Sequence, residues 1–246
     1  MIMVTGDLHA DLTRFKNPLL KKLKKNDALI ITGDFGCIWS GDDKEKKILK
    51  ALGKKKYNLL FVEGVHENYE LLSQYPTEEW CGGKVRVISG NLRQLMRGQC
   101  YEIAGKKIFS FGGGQSDENN SYLEPDEENK WIAEIPTEEE LEEGIRNLAE
   151  NDNKVDFIIS YEPSSKIAEF IEVGSTNRNH INTYLDKIQD STQFIHWYFG
   201  KLHLNKLIPP RYSCVFDNVV VADSTKLPRT KKVKGEKINK NKKEKK

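Results

Sequence analysis

The sequence is short of cysteine, and its few cysteines are widely spaced. Cys37, Cys81, Cys100 and Cys214 are the only four among 246 residues, and none of them form a CxxC pair. Such a set is too small and too scattered for a disulfide-stapled scaffold. We therefore expect reduced thiols in a protein of the cytoplasm.

Long hydrophobic runs are also missing. No segment comes near the roughly 20 apolar residues that a membrane-spanning helix needs, and the opening MIMVTGD lacks the apolar region of a secretion signal. The apolar residues fall instead in short clusters such as ALIIT, NLLFV and FIHWYF. The length and this clustering predict a globular chain with one sizeable core, or at most two small ones, and no membrane segment.

Positive charge is concentrated at one end. Residues 226–246 contain ten lysines, one arginine and two glutamates, whereas residues 1–225 carry a net charge of −7. With almost nothing apolar to bury, the segment 226–246 is predicted to be a disordered tail that follows a folded domain of residues 1–225. The tail either keeps the protein soluble or makes a weak contact with nucleic acid or another polyanion.

Seven short clusters rich in Ile, Val, Phe and Tyr predict buried strands. They are Met1–Thr5, Ala28–Thr32, Asn58–Val62, Lys84–Ile88, Lys107–Phe111, Val155–Ser160 and Phe194–Phe199. Strands that alternate with helices in the first half predict a sheet with parallel strands. In the second half, Gln99–Ala104 and Lys107–Phe111 flank Gly105, which favours hairpins.

Helices are predicted where apolar residues recur at helical spacing or a capping signal occurs. One helix is predicted to begin at Asn17 and Pro18, and another covers Glu45–Leu52. A third follows a Thr137/Glu140 capping box and buries Leu141, Ile145 and Leu148. The last has an apolar face formed by Ile181, Tyr184, Leu185 and Ile188. The acidic stretch from Ser116 to Asn129 lacks periodicity and is predicted to be an exposed loop.

Four of the predicted strands end in glycine and are followed by residues that commonly bind metals. The segments read VTGDLH with Asp7 and His9, ITGDFG with Asp34, VEGVHEN with His66 and Glu67, and YFGKLH with Lys201 and His203. Ligands bind beyond the carboxyl ends of strands in open α/β sheets, so we expect these side chains to converge. Carboxylate and imidazole together suit Mn, Fe or Zn better than Mg or Ca.

The order GDLH, GDFG, GVHE, SYEP and GKLH resembles the calcineurin-like metallophosphoesterases. That family's motifs are DxH, GDxxD/N, GNHE/D, a lone His after a strand, and GHxH, and the resemblance covers residues 1 to about 222. It implies an α/β fold in the form of a four-layer α/β/β/α sandwich of mixed sheets. It also implies a two-metal site that hydrolyses phosphate esters.

The resemblance implies that one metal site is intact and the other is degenerate. Its positions for the first metal are occupied by the expected ligand types, Asp7, His9, Asp34 and His203. The positions that would complete the second site carry Val65, Tyr161 and Lys201 in place of Asn, His and His. Valine offers no ligand atom, tyrosine ligates only as a phenolate, and a lysine ammonium repels a cation. We therefore expect one divalent ion per chain, with Mn favoured over Fe or Zn.

The preferred interpretation is a metal-dependent hydrolase of phosphodiesters or phosphomonoesters. Lys201 would pair with a phosphate oxygen where the second metal is missing, His66 would protonate the leaving oxygen, and Asp34 would hold the metal. Glu67 and Asn68, which follow His66, are candidates for substrate binding, and Trp39 either flanks the site or packs inside.

Two other interpretations stay open. In one, the fold survives without catalysis and acts by binding a nucleotide, nucleic acid or protein partner. In the other, the protein binds nucleic acid through its Lys-rich tail. The substrate and the oligomeric state are left open by the sequence.

Overall fold

The computed structural model describes residues 1–116, 133–171 and 179–222. Within these ranges the chain forms two mixed sheets, of seven and six strands. The strands are β1 Ile2–Thr5, β2 Ala28–Ile31, β3 Asn58–Phe61, β4 Thr77–Trp80, β5 Gly83–Ser89, β6 Leu92–Leu95, β7 Gln99–Ile103, β8 Lys106–Phe111, β9 Phe157–Ser160, β10 His196–Phe199, β11 Lys206–Ile208, β12 Tyr212–Cys214 and β13 Val220–Val221.

The first sheet has the strand order β13-β1-β2-β3-β6-β5-β4. Strands β1, β2, β3 and β6 run parallel, in agreement with the prediction for the first half. Strands β13 and β5 run antiparallel to them, and β4 is antiparallel to β5. Successive residues of a strand face opposite sides of the sheet. Both sides are buried here, which explains why β1 and β2 consist almost entirely of apolar residues rather than alternating apolar with polar ones.

The second sheet, ordered β11-β12-β10-β9-β8-β7, corrects the expectation of hairpins in the second half. The predicted hairpin of β7 and β8 is present and turns at Ala104 and Gly105, both with positive φ. Strands β11 and β12 are also antiparallel, but β8, β9, β10 and β12 run parallel to one another. The physical reason is that helical segments separate β8 from β9 and β9 from β10, and such crossovers produce parallel strands.

Five α-helices occur in the described residues. They are α1 Asp43–Gly53, α2 Tyr69–Ser73, α3 Glu138–Glu150, α4 Ser165–Ile171 and α5 His180–Ser191. Asn17 caps the helix that Pro18 begins, as predicted, but that helix is a short 3₁₀ turn, Pro18–Lys22.

The capping box of Thr137 and Glu140 is confirmed at the start of α3, but one residue of its predicted apolar face is wrong. Leu141 and Leu148 are buried, whereas Ile145 is 48% exposed. Gly144 takes the buried position because a Cβ there would lie only 2.3 Å from the Tyr184 hydroxyl. The helix thus packs through its glycine, and Ile145 is turned outward.

Three apolar clusters account for the layering. One joins the first sheet to α1 and the 3₁₀ turns, one joins the second sheet to α3 and α5, and the third lies between the sheets, where Ile30 and Leu60 meet Ile108 and Ile159. This is a mixed α/β fold with two mixed sheets, consistent with the predicted helix–sheet–sheet–helix sandwich. Among the described residues, no helix is long and apolar enough to cross a membrane.

Two predictions fall on residues that the structure does not describe. Only Ser116 of the predicted loop is described, and the rest, from residue 117 on, is not. The Lys-rich tail, 226–246, also lies outside the described ranges, so its disorder and the domain boundary at 225 stay predictions.

Candidate metal centre

The carboxyl ends of strands from both sheets meet at one edge of the fold. Backbone hydrogen bonds tie the loops together: the amides of Leu8 and His9 both donate to the carbonyl of Asp34, at 3.0 and 2.7 Å. The loops of the second sheet join them, since the amide of Lys201 donates to Asp7 Oδ1 at 3.2 Å. The sequence order predicted this convergence.

Asp7, His9, Asp34 and His203 form one cluster whose ligand atoms all lie within 4.8 Å of one another. His9 Nε2 is 2.9 Å from His203 Nε2 and 3.8 Å from Asp34 Oδ2. His203 Nε2 is 3.4 Å from Asp7 Oδ2. Among the described residues, this is the cluster of carboxylate and imidazole groups that is arranged to bind a metal.

The two carboxylates of the cluster are fully buried, and each lies in the field of the other's negative charge. Burial, together with the nearby charge of Asp34, raises the pKa of Asp7 to about 7. Burial also acts to raise the pKa of Asp34, but hydrogen bonds from His66 outweigh it and bring that pKa below its usual value. The pKa of His9 is lowered, chiefly by burial, which favours the neutral imidazole that ligates metals.

A divalent cation fits this arrangement. Asp7 Oδ2 is buried and accepts no hydrogen bond from the described residues, which is costly unless a cation satisfies it. Two imidazole nitrogens and a second carboxylate oxygen face the same space. A mixed set of two carboxylates and two imidazoles is a donor set for Mn, Fe or Zn.

Backbone strain is concentrated at the same place. His9, Asp34, Lys201 and His203 all have φ between 40° and 65°, a region that side-chain-bearing residues rarely adopt. Strain of this kind costs on the order of 1–3 kcal/mol per residue and is typical of functional sites. Three of these four residues, His9, Asp34 and His203, belong to the ligand cluster.

Two glycines give the carboxylates the room they need. A Cβ on Gly64 would lie 2.1 Å from Asp34 Oδ1, and a Cβ on Gly200 would lie 2.2 Å from Asp7 Oδ1. The glycines that end β3 and β10 in sequence therefore serve as contact surfaces for the two buried acids.

His66 lies beside the cluster, as predicted. Its amide donates to Asp34 Oδ1 at 2.8 Å, and its Nδ1 is 3.0 Å from Asp34 Oδ2. The side chain is 48% exposed, so the ring is oriented by Asp34 and remains accessible to a substrate.

The three positions of the predicted degenerate site also come together. The Tyr161 hydroxyl donates to Asp34 Oδ2 at 3.0 Å, so a phenol contacts one of the carboxylates of the metal cluster. Burial, followed by repulsion from Asp34, raises the pKa of Tyr161 far above its usual value, which keeps the phenol neutral. Val65 is buried and approaches Gly114, where a Cβ would lie 2.9 Å from its methyl carbon.

The Lys201 ammonium is held by an acid that the sequence analysis missed. Lys201 Nζ lies 2.7 Å from Glu162 Oε1 and donates to the carbonyl of Gln115 at 2.9 Å. Glu162 is 1% exposed and also accepts from Asn179, Asn182 and the amide of Gln115. The sequence could have indicated its role, because an acidic residue close after a buried strand is itself buried and then needs a positively charged or hydrogen-bonding partner.

Glu67 and Asn68, the candidates for substrate binding, are both engaged with neighbouring loops. The buried Glu67 carboxylate accepts from the amides of Phe35 and Gly36, at 2.6 and 3.3 Å. Asn68 caps α2 and donates to the carbonyl of Trp39 at 2.8 Å, while the Trp39 side chain is 58% exposed. Both residues thus brace the loops around the site, and their contact with substrate stays a prediction.

Two buried carboxylates and two exposed imidazoles thus lie together at the strand ends of a mixed α/β fold, an arrangement that can bind a metal. A family model for calcineurin-like phosphoesterases matches residues 1–207. The chain belongs to that family, which confirms the resemblance drawn from its motifs. Comparison with curated proteins gave no match.

Two solved structures resemble the chain at low identity. One is phosphopantetheinyl hydrolase from Mycobacterium tuberculosis, with 14% identity, a TM-score of 0.47, and coverage of 92% of this chain and 98% of that one. The other is a protein of unknown function from Aquifex aeolicus, with 19% identity, a TM-score of 0.30, and coverage of 67% and 79%. Neither likeness bears on the activity.

Proposed function

We propose that this protein is a phosphoesterase that works with one tightly held divalent cation, most favourably Mn, and with Lys201 in place of a second metal. Asp7, His9, Asp34 and His203 would hold the cation, which supplies a Lewis acid for the phosphoryl oxygen and for water. The observation that carries the proposal is the selective preservation of this four-residue cluster.

The chain's own residues supply the remaining groups. Glu162 and the Gln115 carbonyl fix the Lys201 ammonium, which has three donors and therefore retains one for a phosphate oxygen. Asp34 orients the His66 ring, whose accessible side supports its assignment as the acid that protonates the leaving oxygen.

The Tyr161 hydroxyl supports the assignment of one metal rather than two. The hydroxyl donates a hydrogen bond to Asp34 Oδ2, so a neutral phenol occupies the position beside this oxygen where a second metal would bind. Glu162, the next residue, is buried and pairs with the Lys201 ammonium at 2.7 Å, so a cation already occupies this position. The Tyr161 phenol and the Lys201 ammonium thus both act against a second metal.

The test measures metal content and hydrolysis together. The purified protein is loaded with Mn, and its metal is counted by mass spectrometry. It is then assayed on bis-p-nitrophenyl phosphate and p-nitrophenyl phosphate. We expect one equivalent of metal and hydrolysis of at least one ester. Asp34→Asn should abolish both, whereas Asp190→Asn, a surface control whose carboxylate pairs with Lys166, should change neither.

Two results would contradict the proposal. Two equivalents of metal per chain would show that the second site is functional. Hydrolysis that survives Asp34→Asn would belong to a contaminant or to another site.

The second candidate is a family member that binds metal and substrate without turnover. It is favoured by the loss of the second metal's ligands, since a two-metal clamp stabilises both the attacking and the leaving oxygen. One equivalent of metal without hydrolysis of either ester would select it. In either case we propose a reducing compartment, the cytoplasm, because all four cysteines are free in the structure.

A further inference from the structure

A dense group of lysines lies at the opposite end of the first sheet from the metal centre. Lys21, Lys22, Lys24 and Lys25 precede β2, while Lys54 and Lys56 precede β3, and all six side chains are exposed. We call these six residues the basic edge.

The fold brings the two lysine segments into contact. Lys56 Nζ donates to the carbonyl of Lys21 at 3.3 Å, and Asn58 Nδ2 reaches the carbonyl of Lys25 at 3.5 Å. In the second segment, Lys55 Nζ lies 5.3 Å from the centre of the Phe15 ring. Residues that are about 30 positions apart in sequence therefore form one continuous basic surface.

The charges of this surface are not neutralised locally. Within the part of the chain that the structure describes, none of the six lysines forms an ion pair. Asp27, two residues after Lys25, pairs instead with the N-terminal ammonium and accepts from the amide of Lys24. Because residues 1–225 carry a net charge of −7, an unpaired basic surface means that positive charge is concentrated at one end of an otherwise acidic domain.

The basic edge and the metal centre occupy different ends of the same strands. Lys25 and Lys56 lie before β2 and β3, whereas Asp34 and His66 follow these strands. A four-residue strand spans roughly 13 Å. A partner bound at the basic edge would therefore leave the metal centre open.

The end of the described chain lies on the same side. The amide of Ala222 donates to the carbonyl of Ile2 at 2.9 Å, beside the amino end of β1. The sequence that follows contains the ten lysines of residues 226–246. Ala222, the last described residue, therefore lies at the end of the first sheet that the basic edge occupies.

We propose that the basic edge binds the phosphate backbone of a nucleic acid without reading its sequence. Charge complementarity carries the proposal, because closely spaced lysines match a regular array of phosphates. A membrane surface is disfavoured, since membrane-binding segments present exposed aromatic or leucine side chains. The exposed aromatic residues of the described chain, Trp39 and Phe170, lie elsewhere, in the loop after β2 and in α4.

The experiment compares two full-length variants that each lose three charges. One carries Lys21→Gln, Lys25→Gln and Lys56→Gln in the basic edge. The matched control carries Lys154→Gln, Lys187→Gln and Lys206→Gln, which are exposed lysines outside it. Binding to a labelled DNA duplex is followed by fluorescence anisotropy between about 50 and 200 mM salt.

We expect the edge variant to bind more weakly and with a flatter salt dependence. Each phosphate contact contributes about 0.9 to the slope of log affinity against log salt, so losing three contacts should reduce the slope by about 2–3. The control should keep the parent slope. Circular dichroism should show both variants folded, and neither should change metal content, so the proposal stands or fails independently of the phosphoesterase activity.

Three outcomes would overturn the proposal. Equal losses in both variants would mean that binding depends only on net charge. Unchanged binding by the edge variant would assign any affinity to the tail. Binding to phosphatidylserine vesicles that the edge variant loses, with no affinity for DNA, would make the surface a membrane contact.

Discussion

At the scale of single residues, the pair formed by Lys201 and Glu162 is the site's main departure from its family's pattern. Glu162 is almost completely buried, and removing one partner of a buried ion pair typically costs about 3–5 kcal/mol. We predict that Lys201→Met lowers the free energy of unfolding by several kcal/mol, and that adding Glu162→Gln restores most of the loss. Urea unfolding of the metal-free protein measures both.

A surface pair provides the control for this prediction. Lys166 Nζ lies 2.7 Å from Asp190, but both side chains are about half exposed or more. Lys166→Met should therefore change the unfolding free energy by less than about 1 kcal/mol. An equally small effect of Lys201→Met would mean that the Glu162 carboxylate is satisfied by its amide donors alone.

His196 predicts a pH dependence that is independent of the metal centre. Burial lowers its pKa to about 4, and its Nε2 lies 2.8 Å from the Ser213 hydroxyl. Since the unfolded chain takes up this proton near pH 6.5, the folded state should lose stability as the pH falls from about 6.5 to about 4. His196→Gln should remove this part of the acid destabilisation in urea unfolding at pH 7 and pH 4.5. Identical pH profiles would refute the assignment.

The acids and histidines of the site were easier to predict than the residues that form hydrogen bonds and ion pairs with its side chains. Asp7, His9, Asp34, His66 and His203 follow strand-ending glycines, and the structure gathers all five at one edge. The partners of Lys201 were not predicted, because Glu162 and Gln115 are distant in sequence and only the tertiary fold brings them to the ammonium. Burial and long-range pairing are properties of the whole fold.

At the scale of elements, the glycines that end β3 and β10 set the position of the two buried acids. We predict that Gly64→Ala and Gly200→Ala each weaken Mn binding by about 10–100-fold, because the added methyl group displaces the Asp34 or Asp7 carboxylate. Calorimetric titration with Mn measures the affinity, and circular dichroism checks the fold.

Gly105 in the β7–β8 hairpin is the matched control. It has a positive φ of 71° and nothing within 4 Å of its Cβ position, so Gly105→Asn should leave Mn affinity unchanged. If Gly64→Ala binds Mn as the parent does, the acids do not depend on these close approaches.

The elements themselves were predictable to the extent that their signals are local. The capping box of Thr137 and Glu140 and the β7–β8 hairpin at Gly105 depend on neighbouring residues, and both are confirmed. The parallel order of the second sheet was not predicted, because it depends on which strands the crossovers bring together. Strand β4, TEEW, escaped detection because its first three residues are exposed and polar.

At the scale of the whole molecule, the question is whether the fold still provides space for a second metal. We predict that Val65→Asn, Tyr161→His and Lys201→His together raise the metal content from one to two equivalents, since the changes restore the family's ligands and remove a competing ammonium. The double variant Val65→Asn, Tyr161→His keeps Lys201 and should stay at one, because the ammonium repels a cation. Electron paramagnetic resonance of bound Mn distinguishes an isolated ion from a coupled pair. One equivalent of metal in the triple variant would show that the loops carrying these residues lie too far apart to form a second site. Two equivalents of metal in the double variant would show that Lys201 does not exclude the second metal.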